Sequence, residues 1–288
     1  MIHDGNVLAG LSVSDAVGRV IRTMREGEPV WGVTSLDSHL YVLRGNRSTE
    51  QVEVYDIESF SFLHCLTVPG LGAKDDSVAC RHNRCAYISD TSHKSVHRLA
   101  LSEAAVTQWP VSDEPSRLSL TYTHGVLVTC SKVRMIKEFS TDGQLLHVLT
   151  LPQDAAMPWH TIQLSSGQFI VCHGVAADQL HRVCLLGSDS GLVKSFGGSK
   201  GSGSQLMNAP THMAIDLNGF VFVVDMNNDR VLLLSPLLTC VREVVSCKQI
   251  RWRPLRVHLD SDRGRLYVAD NEYKDGKWTE GRVTVVNV

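Results

Sequence analysis

Arginine, histidine and aspartate recur at corresponding places of this sequence, where one apolar run begins and the next run ends. Guanidinium and imidazolium groups bind carboxylates and phosphates. This pattern is typical of a site for an anionic ligand, such as an acidic peptide tail, a phosphate or an RNA backbone. The alternative is that the aspartates make local turn bonds or pair with these cations. The residues are Arg117, His160, His212 and Arg256 at the starts, with His173 and Asp225 at the ends.

Two neighbouring copies of this pattern supply three histidines and one aspartate, namely His160, His173, His212 and Asp225. Imidazoles and a carboxylate hold zinc or a similar ion, and they also act as general acids and bases. A metal-dependent or acid–base site is therefore one hypothesis for these side chains. The alternative is that they are ordinary polar lining residues. Strand register decides between the two, because a shift of one residue turns a side chain to the other face of a sheet.

The elements that must position these side chains are repeated along the chain. Prolines precede an apolar run at five places, with gaps of 86, 43, 52 and 44 residues. The first gap is twice 43, and a period of about 43 residues indicates a propeller or a solenoid. Each copy contains runs rich in Val, Leu, Ile and Tyr that are separated by turn residues, as is typical of β-strands. The prolines are Pro29, Pro115, Pro158, Pro210 and Pro254.

A fourth strand predicts how the repeats are joined. The first five copies contain it, whereas the sixth copy ends before it. A matching run, GRVIRTM at 18–24, precedes the first copy and has no repeat of its own. We therefore predict an all-β fold, a six-bladed β-propeller with four-stranded blades whose last blade is closed by the N-terminal strand. Residues 1–17 are expected to form an N-terminal extension and residues 18–288 the propeller.

Several copies resemble NHL repeats. The segment NAPTHMAIDLNGFVFVVDMNNDRVLLL is similar to the pattern P-x-G-h-A-h-D, G-h-h-h-V-A-D and N-x-R-V, in which h is an apolar residue. RPLRVHLDSDRGRLYVADN with GRVTVVNV is similar too, and EPVWGVTSLDSHLYVLRGNRSTEQVEVYDIESFSFLHCLTVPGL resembles the first blade of invertebrate tripartite-motif NHL proteins. The chain thus resembles the C-terminal propeller of those proteins over residues 18–288. It departs from them at the four cation positions, where many NHL copies have glycine.

The resemblance implies a recognition function. In that family the propeller binds partners, and it often follows a RING, a B-box and a coiled coil that supply ubiquitin-ligase activity. Some NHL propellers bind single-stranded RNA on a basic face. In this sequence no Cys/His zinc frame and no heptad segment precedes the propeller. The resemblance therefore carries over the fold and a partner-binding role, but not ligase activity.

Two further stretches combine aromatic and charged residues. SCKQIRWRPLR contains Arg251, Trp252 and Arg253, and NEYKDGKWTEG contains Tyr273 and Trp278. Arginine next to an aromatic ring stacks on RNA bases or anchors a protein contact, and loops on a rigid scaffold commonly carry recognition residues. We therefore predict that both stretches are partner loops. For the first, the alternative is an inter-blade loop that Trp252 packs onto the propeller.

Composition gives no bulk electrostatic drive toward nucleic acid or an anionic membrane. Lys and Arg number 28 and Asp and Glu number 30, which gives a net charge of -2. None of the eight cysteines forms a CxxC pair, and most lie in apolar runs where a reduced thiol acts as a small core residue. No signal peptide is apparent, and no apolar run approaches the roughly 20 residues that span a bilayer. We expect a cytoplasmic protein without cofactor or membrane contact.

These observations leave three functions open. The favoured prediction is a non-enzymatic recognition module that binds a protein or peptide at the channel face, in the manner of the substrate-recognition part of a ubiquitin-ligase-type NHL protein. The first alternative is an RNA-binding propeller with a basic face. The second is a metal-dependent hydrolase or lyase centred on His160, His173 and His212.

Overall fold

The fold is all-β, as the sequence predicts. The structure is a computed structural model that describes residues 18–45, 51–174 and 180–288, and the extension predicted for residues 1–17 lies outside the described residues. Within those ranges the strands form six antiparallel sheets of four strands each. Two short 3₁₀ turns, Ser131–Val133 and Met226–Asn228, follow second strands. Each sheet is one blade of a six-bladed propeller.

In the first five blades the innermost strand comes first in the chain and the outermost last, whereas the outermost strand of the sixth blade is the first strand of the chain. The strands are β1 (Arg19–Thr23), β2 (Val30–Leu36), β3 (His39–Arg44), β4 (Gln51–Asp56), β5 (Phe62–Thr67), β6 (Lys74–Cys80), β7 (Cys85–Asp90), β8 (Ser95–Ala100), β9 (Ala105–Pro110), β10 (Arg117–Leu120), β11 (Val126–Cys130), β12 (Met135–Phe139), β13 (Leu145–Thr150), β14 (Pro158–Gln163), β15 (Phe169–His173), β16 (His181–Leu186), β17 (Leu192–Gly198), β18 (Pro210–Ile215), β19 (Val221–Asp225), β20 (Arg230–Leu234), β21 (Cys240–Val245), β22 (Arg253–Asp260), β23 (Arg265–Lys274) and β24 (Lys277–Asn287).

The ring closes through its two ends. The innermost strands β2, β6, β10, β14, β18 and β22 contact one another in circular order, and β22 returns to β2. The sixth blade has the order β1-β24-β23-β22, with Arg19 opposite Asn287 and Thr23 opposite Thr284. The prediction that the N-terminal strand closes the last blade is confirmed. Closure removes two open sheet faces that a linear stack of repeats would expose.

The apolar core is divided among the six interfaces between blades. One cluster of buried side chains lies at each interface. Between the second and third blades, for example, Tyr87 and Trp109 meet edge to face at 5.8 Å, and Phe139 packs beside them. Because each blade buries its two faces only against its neighbours, the ring must be complete for all six blades to be covered on both faces.

The sixth blade carries an extension that the described strands of the other blades do not have. β23 has 10 residues and β24 has 11, whereas the strands of the first five blades have seven or fewer. The two strands are connected by a two-residue turn, Asp275 and Gly276, and both residues have the positive φ that a type I′ turn requires. No helix in the described part of the chain is long and apolar enough to cross a membrane.

Candidate functional site

Beta-bulges near the start of the inner strands decide which side chains meet at the centre of the propeller. The register shifts by one residue in the first, second, fourth, fifth and sixth blades. In each of these five blades, the residue after the shift lies at one common level of the channel. Its counterpart in the third blade lies at the same level. We call these six residues the inner ring: Gly32, Asp76, Arg117, His160, His212 and Arg256.

Four predicted residues, Arg117, His160, His212 and Arg256, are therefore brought together, and all four side chains are buried. Their role in ligand binding stays a prediction. Sequence reasoning missed Asp76 and placed Ser77 at its position. The second copy lacks the proline that marks the start of the strand elsewhere, so nothing in its sequence fixed the register. Asp76 is 1% exposed and is the only acidic residue of the inner ring.

The predicted pairing of the inner strands with His173 and Asp225 on the second strands is wrong. His173 and Asp225 lie opposite Pro158 and Pro210, two residues before the expected partners His160 and His212, because the bulge adds a residue to each inner strand. His160 instead pairs with Cys172. The predicted cluster of His160, His173, His212 and Asp225 therefore does not form.

His173 and Asp225 have partners within their own blades. His173 Nε2 accepts a hydrogen bond from Arg182 Nε at 3.0 Å, and burial, followed by the charge of Arg182, lowers the pKa of His173 to about 4. Asp225 accepts hydrogen bonds from Arg230 Nε at 2.8 Å and from Asn228 Nδ2 at 2.7 Å. His173 thus joins its strand to the third strand of its blade through Arg182, and Asp225 joins its strand to the following 3₁₀ turn through Asn228 and to the third strand through Arg230.

The two arginines of the inner ring are neutralised within the protein. The carboxylate of Asp75, the bulge residue of β6, pairs with Arg117 and with Arg256. Arg256 Nε also lies 3.5 Å from Asp76 Oδ1. Burial, together with the neighbouring Arg117, lowers the pKa of Arg256 to about 10. Two guanidinium groups thus face two carboxylates, so the centre of the channel has no net positive charge from these residues.

The two histidines of the inner ring stack face to face, with ring centroids 4.0 Å apart. Each Nδ1 accepts a backbone N–H from the next blade, Met213 N for His160 at 3.3 Å and Val257 N for His212 at 3.5 Å. An imidazole whose Nδ1 accepts a hydrogen bond carries its proton on Nε2. We assign both rings to this tautomer from the hydrogen-bond network.

The Nε2 atoms are also occupied. His160 Nε2 donates to the carbonyl oxygen of Leu118 at 3.1 Å, and His212 Nε2 donates to Asp76 Oδ2 at 3.4 Å. Burial is the main reason that the pKa of each ring lies well below the ordinary histidine value. The next cause is a neighbouring group, which is His212 for the pKa of His160 and Arg256 for the pKa of His212. Both imidazoles are therefore neutral at pH 7, with all their hydrogen-bonding capacity used.

Asp76, His160 and His212 are nevertheless close enough to hold an ion. One ligand atom from each lies within 4.8 Å of the others, and no other such group of His, Cys, Asp and Glu occurs among the described residues. A metal at Nε2 would remove the proton that this atom donates, while Nδ1 still faces a backbone N–H. The hydrogen-bond pattern therefore fits a metal ion poorly.

The channel cavity, with a volume of about 210 Å³, is also lined by a third histidine, His258. The sequence analysis did not single out His258. His258 Nε2 lies 2.8 Å from Ser35 Oγ and accepts the Ser35 N–H at 3.0 Å. Burial lowers the pKa of His258 to about 4. This contact joins the sixth blade to the first.

The two predicted partner loops meet at the long hairpin of the sixth blade. Tyr273 and Trp278 are cross-strand neighbours with ring centroids 4.8 Å apart, and Arg253 lies 5.7 Å from the Tyr273 ring. Trp252 lies between two arginines, with Arg251 at 4.8 Å and Arg282 at 5.7 Å from its ring. Their juxtaposition gives one continuous surface of aromatic rings and guanidinium groups.

A groove of about 650 Å³ separates this hairpin from the first two blades. We call it the hairpin groove. Trp31 and Trp278 line it, and Asp75 connects it to the arginines of the inner ring. Trp31 is held in place because its Nε1 donates to the carbonyl oxygen of Gly45 at 2.7 Å. Its further lining includes Pro29, Lys277 and Thr279.

Charges of both signs alternate along the tip of the hairpin. The basic residues Lys274 and Lys277 are interleaved with Glu272, Asp275 and Glu280. Such an arrangement has no extended positive field of the kind that attracts a phosphate backbone. The hairpin therefore fits a peptide better than the continuous phosphate backbone of a nucleic acid.

Comparisons with known proteins give the fold and no more. No family model matches the chain, and no curated protein sequence matches it either, so membership of the NHL class stays a prediction. The structure is similar to virginiamycin B lyase from Staphylococcus aureus, with 8% identity, 92% of this chain and 99% of that chain covered, and a TM-score of 0.62.

Two non-lyase propellers are equally similar. The β-propeller domain of Cps50 (Swd1) from Myceliophteria thermophila is 10% identical, with 94% and 99% of the two chains covered and a TM-score of 0.62. The WD40 β-propeller domain of Doa1 is 13% identical, with 93% and 96% covered and a TM-score of 0.61. The chain is therefore a six-bladed β-propeller whose solved structural neighbours include both enzymes and WD40 domains.

Proposed function

We propose that this propeller is a non-enzymatic recognition module that binds a protein or peptide at the face that carries the hairpin groove. The observation that carries the proposal is the juxtaposition of Trp31 and Trp278 across a groove of about 650 Å³. Aromatic rings and arginines are the side chains that most often anchor protein contacts. The similarity to WD40 propellers is compatible with this role.

The inner ring supports a structural role for the polar channel residues. Asp75 and Asp76 neutralise Arg117 and Arg256, and the ring nitrogens of His160 and His212 are all hydrogen-bonded. A general base must be able to accept a proton from a bound substrate. The network leaves no such nitrogen in the inner ring, which favours binding over catalysis.

The sequence resemblance refines the proposal. It relates the chain to NHL-repeat propellers of tripartite-motif proteins, so we propose substrate recognition in a ubiquitin-ligase pathway as the biological setting. All eight cysteines are free thiols. Free thiols are typical of proteins in a reducing compartment, which supports a cytoplasmic location.

Two alternatives have a specific observation in their favour. The Arg251–Trp252–Arg282 stack resembles the stacking surfaces that bind single-stranded RNA, but the interleaved charges of the hairpin favour a peptide. The grouping of Asp76, His160 and His212 favours a metal-dependent hydrolase or lyase, but their hydrogen bonds oppose it.

The test is selection of short random peptides from a phage-displayed library, with the purified propeller as bait. We expect the wild-type protein to retain a defined set of peptides, and the double variant Trp31→Ala/Trp278→Ala to lose them by about tenfold or more in affinity. Leu217→Ser/Leu237→Ser is the matched control, because these leucines are 86% and 69% exposed in turns on the opposite face.

The outcome separates peptide binding from RNA binding. Retention of the peptides by the opposite-face variant and loss by the groove variant support the proposal. Failure to select any peptide above background, with salt-sensitive binding of a single-stranded RNA pool instead, would replace it by the RNA alternative.

A further inference from the structure

Among the described residues, no strand lies beside the outer edge of the long hairpin near its tip. β1 pairs with β24 only at Thr284–Asn287, and one isolated bridge joins Gly27 to Gly281. Beyond that bridge, residues 277–280 of β24 have no strand on their outer side within the described ranges. An unpaired edge of this kind presents N–H and C=O groups to an incoming strand.

The turn geometry indicates which backbone groups point outward. The two-residue turn is closed by the pair Lys274–Lys277, and the next pair is Tyr273–Trp278. In an antiparallel ladder, hydrogen-bonded and non-hydrogen-bonded pairs alternate. Because the closing pair of a two-residue hairpin is hydrogen-bonded, Tyr273 and Trp278 direct their backbone N–H and C=O groups away from each other. Those of Trp278 point to the outer edge of β24.

This edge borders the hairpin groove. Lys277, Trp278 and Thr279 form one wall, and Pro29 with Trp31 belongs to the first blade on the other side. The base of the hairpin is fixed, because Asn271 forms two hydrogen bonds with the backbone of Val30, at 2.9 and 2.8 Å. The edge is therefore held beside the groove before any partner arrives, which lowers the entropic cost of binding.

The charges that line the groove favour an acidic partner. Asp75 is neutralised by Arg117 and Arg256. Of the remaining charged lining residues, Lys74 and Glu28 offset each other in charge. Lys277 is left over, and it has no carboxylate partner within the part of the chain that the structure describes. Among the lining residues that the structure describes, the groove therefore carries an excess of one positive charge.

We propose that an extended acidic peptide adds to the outer edge of β24 as an extra strand and lies in the hairpin groove. Its backbone pairs with Trp278, its apolar side chains contact Trp31 and the Trp278 ring, and a carboxylate of the peptide pairs with Lys277. Main-chain pairing supplies affinity and the alternate side chains supply specificity. This inference rests on the proposed function and specifies its mode of binding.

The first test removes the outward N–H. Peptides are selected from a phage-displayed library of short random sequences, synthesised, and titrated against Trp278→Ala and Trp278→Pro. Both variants lack the ring, but only the second lacks the N–H. Proline is tolerated there because that N–H does not belong to the ladder. We expect about tenfold weaker binding to Trp278→Pro than to Trp278→Ala. Tyr273→Pro, compared with Tyr273→Ala, is the matched control on the opposite edge and should show no such difference.

The second test leaves the protein unchanged. N-methylation of the selected peptide, one residue at a time, should weaken binding at every second position, as strand pairing requires. It keeps the proposal testable even if Trp278→Pro does not fold. Lys277→Glu should weaken binding of the acidic peptides about tenfold, whereas Lys274→Glu on the neighbouring strand should leave it unchanged.

Each result has a defined meaning. A two-residue periodicity in the N-methyl scan and sensitivity to Lys277→Glu support strand addition. Peptides that bind in a Trp31- and Trp278-dependent way, but with no periodicity and no effect of Lys277→Glu, overturn strand addition while the proposed function stands. If the wild-type protein selects no peptides, both are overturned.

Discussion

The imidazole rings of His160 and His212 stack with their centroids 4.0 Å apart and their planes 16° from parallel. The stack links three blades, because each ring comes from one blade and accepts a backbone N–H from the next. Two charged imidazoles at this distance would repel each other strongly in a buried site. The contact therefore depends on both rings being neutral.

Metal content follows from this arrangement. Because each Nδ1 accepts an N–H and each Nε2 donates its proton, we expect protein purified without added metal to hold no stoichiometric ion by elemental analysis. Added zinc should not raise the melting temperature. A stoichiometric ion that disappears in His212→Ala would contradict the assigned tautomers and would revive the hydrolase or lyase alternative.

Stability should decrease as the pH falls below about 6.5, the ordinary histidine value. Burial lowers the pKa of His160 and His212 in the folded state. Below pH 6.5 these two histidines therefore bind more protons in the unfolded chain than in the folded chain. Their contribution is complete above pH 6.5 and is lost below it, by about 1.4 kcal/mol per pH unit for each ring. Urea unfolding at a series of pH values measures this slope.

The control for this pH dependence is His212→Asn, whose amide can accept and donate in place of the ring. Its free energy of unfolding should fall less steeply between pH 6.5 and pH 5 than that of the wild type. Asp76, Arg117 and Arg256 face the rings from other blades and are the same in both proteins. Equal slopes in the two proteins would show that the rings do not titrate as described.

Loss of Asp76 should be costly. The Asp76 carboxylate contacts His212 Nε2 and Arg256 Nε and accepts the Leu118 N–H at 3.0 Å. Asp76→Ala leaves a buried guanidinium with one fewer carboxylate, so we expect a loss of about 3 to 5 kcal/mol in the free energy of unfolding. Asp37→Ala breaks an exposed pair with Arg84 and should cost less than about 1 kcal/mol. Equal effects would contradict the central role of Asp76.

The hairpin anchor gives a separate prediction. The side chain of Asn271 bonds to the backbone of Val30 as a neighbouring strand would. Its Oδ1 accepts the Val30 N–H, and its Nδ2 donates to the Val30 carbonyl oxygen. Asn271→Ala leaves two buried backbone groups without partners, and each costs about 1 to 3 kcal/mol. Thermal unfolding should show a clear drop in melting temperature, whereas Asn287→Ala, at an exposed position of the neighbouring strand β24, should be nearly neutral. An unchanged melting temperature for Asn271→Ala would mean that the closure between the sixth and first blades does not depend on this contact.

Some of the site was accessible from the sequence. The cation positions Arg117, His160, His212 and Arg256 follow from aligning the copies on their strands, and the structure brings them together. The surface around Arg253, Tyr273 and Trp278 followed from composition alone, since aromatic and charged residues are concentrated in two loops. Sequence could not show that these loops meet, because their rings and guanidinium groups come together only once the hairpin is formed.

The sequence by itself determined the number of blades, their four-stranded form and the closure by residues 19–23, because each depends on counting apolar runs along the chain. The tertiary structure alone decided which side chains face the channel. One-residue bulges, which leave no mark in an apolar pattern, moved His173 and Asp225 out of the cluster. Ring closure then brought Asp75 against Arg256, 181 residues away along the chain, and so neutralised charges that the sequence alone presents as free.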